Sequence, residues 1–117
     1  MCLTFVHFDL WVGDVFVFRV GDVQITAPVF LAPMSGVTDA PARTEAARFG
    51  APAVVTEMVA GAELAREKVD FVRRAAPHNG SGPFIIQLAG RQPEWMRVGA
   101  ELSEAAGADI VDINMGC

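Results

Sequence analysis

The sequence predicts an α/β fold built on parallel strands, and three observations carry that prediction. Apolar runs begin near residues 29, 53, 84 and 109, spaced 24 to 31 residues apart. Stretches of helical composition, bounded by turn residues, lie between them. The runs themselves are apolar on both faces, as strands covered on two sides must be. Spacing alone leaves two architectures open: part of a (β/α)8 barrel, or a small doubly wound sheet.

Each element has a local reason. Residues 15–18, 23–26 and 29–31 read as short strands, with Gly21-Asp22 as a tight turn because glycine adopts positive φ without steric cost. Residues 1–14 fit no element and are set apart as an N-terminal extension. A turn rich in Pro and Gly, Pro33 to Asp39, leads into a helix expected over 40–49. Thr38 or Asp39 caps it, Pro41 sits in its first turn and Gly50 lies just past its end. A strand over 53–58, a helical stretch over 61–75 and a loop over 78–83 follow. A buried strand over 84–88, a helix over 93–106 closed by Gly107, and a strand over 109–115 complete the chain.

Composition excludes several function classes. Hydrophobic residues make up 52% of the 117 and charged residues 20%, which predicts a packed core and not a disordered chain. The formal net charge is −5 with no polybasic run, so these residues offer no electrostatic footprint for nucleic acid or anionic membrane. The apolar N-terminus has no Lys or Arg before Arg19 and is interrupted by Asp9 and Asp14, unlike a signal peptide or a membrane span of about 20 apolar residues. Two cysteines, Cys2 and Cys117, do not make a disulfide framework, and a reducing cytoplasm is expected. The end at Cys117, directly after an apolar run, suggests the front part of something longer.

Polar residues sit where a parallel fold collects ligands. Glu57, Gln87 and Asn114 fall at or near the C-terminal ends of successive strands, and Asp112 shares a face with Asn114 by the two-residue period. Loops and helix N-termini gather at that edge, so convergent polar groups there read as a site. They also read as caps for buried turns. No G-x-G-x-x-G, P-loop, C-x-x-C or H-E-x-x-H occurs, His7 and His78 are isolated, and no metal site is expected. Cys117 follows Gly116 at the same edge, where an accessible thiol acts as acid or nucleophile.

These residues also carry a resemblance. Leu31-Ala32-Pro33-Met34-Ser35-Gly36-Val37-Thr38-Asp39 resembles the first strand and loop of the tRNA-dihydrouridine synthases, nearest their bacterial B-type branch. Thr56-Glu57-Met58 is similar to their second strand, Ile86-Gln87-Leu88-Ala89-Gly90 to their third, and Asp112-Ile113-Asn114-Met115-Gly116-Cys117 to the active-site strand and loop, which normally continues with Pro. Four matches in order span roughly residues 21–117.

The resemblance implies the N-terminal half of a (β/α)8 barrel over 15–117, with about four parallel strands and three helices. A short hairpin at 15–26 would cover the barrel floor, and the rest of the barrel and a helical tRNA-binding domain would be absent. It further implies an FMN enzyme that reduces the C5–C6 bond of uridines in tRNA, with NADPH as electron donor. Hydride would pass from the flavin to C6, and a cysteine would protonate C5 from the opposite face. Carried over, Pro33, Met34 and Ser35 would line the flavin, Gln87 would hydrogen-bond its ring, Asn114 would contact the uracil and Cys117 would donate the proton. Glu57 and Asp112 match motif positions without a catalytic step. Ser35 stands where Ala is frequent and Ala42 where Phe is common.

The implied parent enzyme is cytoplasmic and monomeric, binds no membrane or metal, and meets tRNA mainly through its C-terminal parts. The 117 residues by themselves are expected to be inactive. Two other readings remain: another FMN barrel, such as a dihydroorotate dehydrogenase-like oxidoreductase, and a truncated product without function.

Overall fold

A computed structural model describes residues 6–7, 18–66 and 68–116. Strand residues 15–17, most of the 1–14 extension and Cys117 lie outside the described residues.

The chain opens with a small antiparallel sheet. β2 (Phe18–Val20) and β3 (Val23–Ile25) pair with Val20 opposite Val23, leaving Gly21-Asp22 as a two-residue turn. Gly21 stands at φ +58°, the left-handed conformation such a turn demands. The extension is not wholly apart from this sheet: β1 (Val6–His7) pairs antiparallel with β2, Val6 opposite Val20.

The expected strand at 29–31 is reduced to a single parallel bridge between Leu31 and Val54. Leu31 donates its N–H to Ala53 at 2.9 Å and accepts from Val55 at 3.4 Å. Pro28 and Pro33 bracket the segment, and proline offers no backbone N–H to extend a ladder. A three-residue turn around Pro28, with Val29 donating to Ala27 at 2.8 Å, already diverts the chain.

α1 (Ala40–Arg48) begins as its sequence signals require. Asp39 takes extended backbone angles and its Oδ1 accepts from the N–H of Ala42 at 3.0 Å. Gly50, at φ +93°, ends the turn that follows.

The strand expected over 53–58 reaches Ala60 and is interrupted. β4 (Val54–Val55) and β5 (Val59–Ala60) both pair parallel with β6 (Phe84–Ala89). Val55 lies opposite Ile85 and Val59 opposite Leu88, so residues 56–58 face only residues 86–87, a bulge of one residue. Its cause is the Thr56 hydroxyl, which takes the N–H of Gln87 at 3.0 Å and donates to the Glu57 carbonyl at 2.9 Å. A side chain has replaced a main-chain acceptor in the ladder.

The helical stretch expected over 61–75 forms two pieces, α2 (Gly61–Leu64) and α3 (Val69–Arg74). The Glu63 side chain meets Arg66 at 3.1 Å and Lys68 at 2.5 Å across the break. α3 has no fully buried residue and meets the core through the half-buried Phe71. α4 (Pro93–Ala105) and β7 (Ile110–Ile113) then form close to their expected places, with Gly107 at φ +86° between them.

Strand order resolves the architecture left open above. Leu31, β4/β5, β6 and β7 lie side by side in chain order, all parallel. A doubly wound sheet reverses direction at a switch point; this one does not. The molecule is the leading part of a (β/α)8 barrel, and the described strands do not close it.

Alternation along β6 separates the two sides. Phe84, Ile86 and Leu88 pack outward with Val59, Leu64 and Ala75, and with Phe71, Met96, Ala100 and Val111. Ile85 points the other way and packs with Ala53, Val55 and Ile110 against Ile25 and Val20 of the hairpin. The hairpin thus closes the inner face at its lower end. Above Ile85 the same face continues with Gln87, and above Ile110 with Asp112 and Asn114. On the outer face, α2 and α4 approach so closely that a Cβ on Gly61 would collide with the Trp95 carbonyl.

Candidate functional site

Gln87 is the centre of the upper inner face. It lies opposite Asp112 in the parallel register and is only 8% exposed. Its Nε2 donates to Asp112 Oδ2 at 2.6 Å, and its Oε1 accepts from Asn114 Nδ2 at 3.2 Å. Asn114 Oδ1 in turn accepts the N–H of Gly116 at 2.9 Å. A continuous polar chain therefore runs from Asp112 through Gln87 and Asn114 into the backbone that leads to Cys117. A carboxylate is an acceptor only, so it dictates which end of the Gln87 amide faces it. Met58, carried out by the bulge, sits beside this chain with its sulfur 3.6 Å from Asn114 Nδ2.

The Pro33–Thr38 loop stands at the same edge. Pro33 is half-buried, while Met34 and Ser35 are exposed. Thr38 folds the loop on itself: its hydroxyl accepts from Met34 N at 2.9 Å and donates to Met34 O at 3.2 Å. Gly36, at φ +76°, donates its N–H to Oε1 of Glu57. Glu57 is 5% exposed, and its Oε2 lies 3.8 Å from Arg74 Nε.

Behind the loop, the side chain of Arg43 is fully buried. Its Nε donates to the Thr38 carbonyl at 3.1 Å, and its Nη2 donates to the carbonyls of Ala76 at 2.6 Å and Arg74 at 3.4 Å. Its Nη1 is buried without a partner among the described residues. Burial pulls this guanidinium below its ordinary pKa, and the negative charges of Asp39 and Glu57 act in the opposite direction.

The structure thus brings Gln87 and Asn114 together and adds Asp112 to them. Among the described residues no hydrogen bond joins the side chains of Pro33, Met34 or Ser35 to that group. Their link to it runs through Glu57 and Thr56. Cys117 lies outside the described residues, although Gly116 places the chain immediately before it. Sequence reasoning missed Arg43, whose one signal is its position four residues before the buried Ala47 on a helix rich in alanine. Among the described residues no group of three His, Cys, Asp or Glu side chains is placed to hold a metal.

The model for the family Dihydrouridine synthase (Dus) matches residues 30–117, a span that holds the loop, the bulge and the polar chain just described. The chain belongs to the dihydrouridine synthase family. A "Probable tRNA-dihydrouridine synthase" of Rhizobium leguminosarum bv. phaseoli is 53% identical over 89 residues, covering 76% of this chain and 28% of that relative. One of the same name from Rhodobacter capsulatus is 45% identical over 96 residues, covering 81% and 30%. A "tRNA-dihydrouridine synthase B" of Pasteurella multocida is 36% identical over 99 residues, covering 85% and 30%. The chain therefore spans less than a third of the length of these curated relatives. No solved structure matches it. No helix among the described residues is long and apolar enough to cross a membrane.

Proposed function

We propose that this member of the dihydrouridine synthase family supplies the flavin-facing part of an enzyme that reduces uridine to 5,6-dihydrouridine in tRNA. The observation that carries the reading is the Asp112–Gln87–Asn114 chain, aimed at the backbone just before Cys117.

The residues fit FMN. A flavin ring needs an oriented polar group at its edge and apolar surface beside it. Gln87 is an amide held at both ends, and Met34 and Met58 are partly exposed at the same edge. In this reading Gln87 holds the ring edge, and Pro33, Met34 and Ser35 line its face. Bound there, FMN supplies hydride chemistry, with NADPH as the source of electrons.

The chain's own groups then have separate tasks. Asn114 contacts the uracil, and its Oδ1 also accepts the Gly116 N–H, which fixes the backbone there. The Cys117 sulfur gives its proton to C5 of the uracil. An ordinary thiol, with a pKa of about 8.5, is mostly protonated at neutral pH, as a general acid must be. Asp112 orients Gln87 and takes no part in proton transfer. A net charge of −5 makes these residues a poor surface for a polyanion. Contacts to tRNA are therefore assigned to the portion of the relatives that this chain does not match, and the enzyme to the cytoplasm.

The test is Cys117→Ala in the complete gene product, with dihydrouridine in tRNA measured by mass spectrometry. Dihydrouridine is expected to fall to the level of a strain lacking the gene. Normal levels would remove Cys117 from the reaction.

A further inference from the structure

The loop expected to line the flavin has little apolar anchorage of its own. Met34, Ser35, Gly36 and Val37 are all exposed, so polar bonds must set its shape. Thr38 supplies an internal clamp and Arg43 ties the end of the loop to the carbonyls after α3. Only one bond among the described residues reaches the loop from the sheet itself, that from Gly36 N to Glu57.

We propose that Glu57 is the positioning residue of this loop, acting through the Gly36 N–H, with Arg43 closing the frame behind it. This rests on the proposed FMN reading of residues 33–35 and assigns a task that reading leaves unfilled. A carboxylate accepting a backbone N–H makes a charge-assisted bond, stronger than a neutral one and more so with water excluded. Glu57 is almost fully buried, and a buried carboxylate is costly unless bonded and balanced. Here it is bonded by Gly36 and lies 3.8 Å from Arg74 Nε, whose own bond goes to Asp70 Oδ2 at 3.0 Å, with the buried Arg43 charge nearby. Glu57 itself sits in the bulge, next to Thr56, whose hydroxyl holds Gln87 N. The loop and Gln87 are thus referred to one two-residue segment, so their relative placement is set by the sheet and not by the loop.

The complete gene product tests this through two readouts, exchange of the Gly36 amide by NMR and the Kd for FMN by fluorescence titration. Glu57→Ala is expected to speed Gly36 exchange and weaken FMN binding by about tenfold or more, the scale of a lost charge-assisted bond. Glu57→Gln keeps an acceptor oxygen and is expected to fall between wild type and Ala on both readouts. If Glu57→Ala does not fold, Glu57→Gln decides alone: faster exchange confined to Gly36 and its loop supports the proposal, and an even rise across the core overturns it. Unchanged Gly36 exchange, or faster exchange with unaltered FMN affinity, also overturns it. A wild-type protein that holds no FMN sinks the flavin reading, while Gly36 exchange still reports separately whether Glu57 holds the loop.

Discussion

Gln87 and Asp112 face each other across a parallel strand pair, and the amide of one gives its Nε2 proton to the carboxylate of the other at 2.6 Å. That bond does more than satisfy two polar groups. With Nε2 committed to Asp112, Oε1 is left for Asn114, and Asn114 is left with its oxygen for Gly116. Reversing the amide would put two donors against each other at Asn114. The direction of the whole chain is therefore dictated by the one member that accepts only.

Asp112→Ala should unfix the Gln87 amide. Gln87 is buried, so losing a partner costs about 1–3 kcal/mol, the penalty of an unsatisfied buried donor. Urea denaturation of the complete gene product should show that loss, together with weaker FMN retention. Retained stability and retained flavin would mean the amide is oriented from elsewhere.

Thr56→Val replaces a fully buried hydroxyl by a methyl of similar size and deprives Gln87 N of its acceptor. A loss of about 1–3 kcal/mol is expected. Thr56→Ser, which keeps the hydroxyl, should recover most of it. A Val variant as stable as wild type would show that the bulge stands without the side chain.

How legible these features were follows from how local their causes are. Helix α1 is readable because Asp39, Pro41 and Gly50 act within one turn of its ends, and the structure places the cap and the positive φ there. β6 is readable because an apolar run lies between Pro83 and Gly90. The approach of Gln87 to Asp112 and Asn114 also follows, since strand ends gather at one edge and residues two apart share a face. The bulge at 56–58 does not follow, because its cause is a hydroxyl bonding an amide 31 residues away. The bond from Gly36 to Glu57 depends on that bulge, and the burial of Arg43 depends on carbonyls beyond α3, so neither leaves a local mark. The pairing of Val6–His7 is equally non-local, since its partner is the edge of β2 at Arg19 and Val20.

Gly61→Ala should be more damaging than Gly99→Ala. The added methyl on Gly61 meets the Trp95 carbonyl, rigid helix backbone that cannot turn aside. At Gly99 the nearest atoms are Gly61 Cα at 3.1 Å and the flexible Leu88 methyls at 3.2 and 3.4 Å. Overpacking of this kind costs about 1–3 kcal/mol, and the Gly61 variant should sit at the upper end. Thermal melts of both variants give the order directly; an equal or reversed ranking would contradict the described approach of α2 to α4.

Glu63 gives the pH dependence of the α2–α3 turn. The Lys68 ammonium bonded to its carboxylate, with Arg66 beside it, lowers its pKa below the ordinary carboxylate value. A carboxylate whose pKa is lower in the folded chain adds stability above its unfolded pKa and loses it as pH falls through the folded value. The stability difference between wild type and Glu63→Gln should be full at neutral pH and shrink through the acid range as the carboxylate protonates. Arg66 and Lys68 are exposed while Glu63 is half-buried, so the difference should shrink only in part in high salt. A difference that grows on acidification would reverse the assigned sign.

A polypeptide confined to residues 1–117 should neither stay monomeric nor hold FMN. Among the described residues β7 pairs only with β6, leaving its other edge open, and Ile113 at its end and Met115 just beyond it are 55% and 93% exposed. At the opposite edge Leu31 makes one bridge among the described residues, and the neighbouring Val29 is exposed. Open strand edges flanked by apolar side chains are templates for pairing with another copy. The chain spans less than a third of the length of its relatives, so the rest of the flavin's enclosure is expected from residues outside it. Gel filtration should show large species, and absorbance should show no flavin in them. A yellow monomer that melts cooperatively would mean that four strands and the hairpin suffice for both tasks.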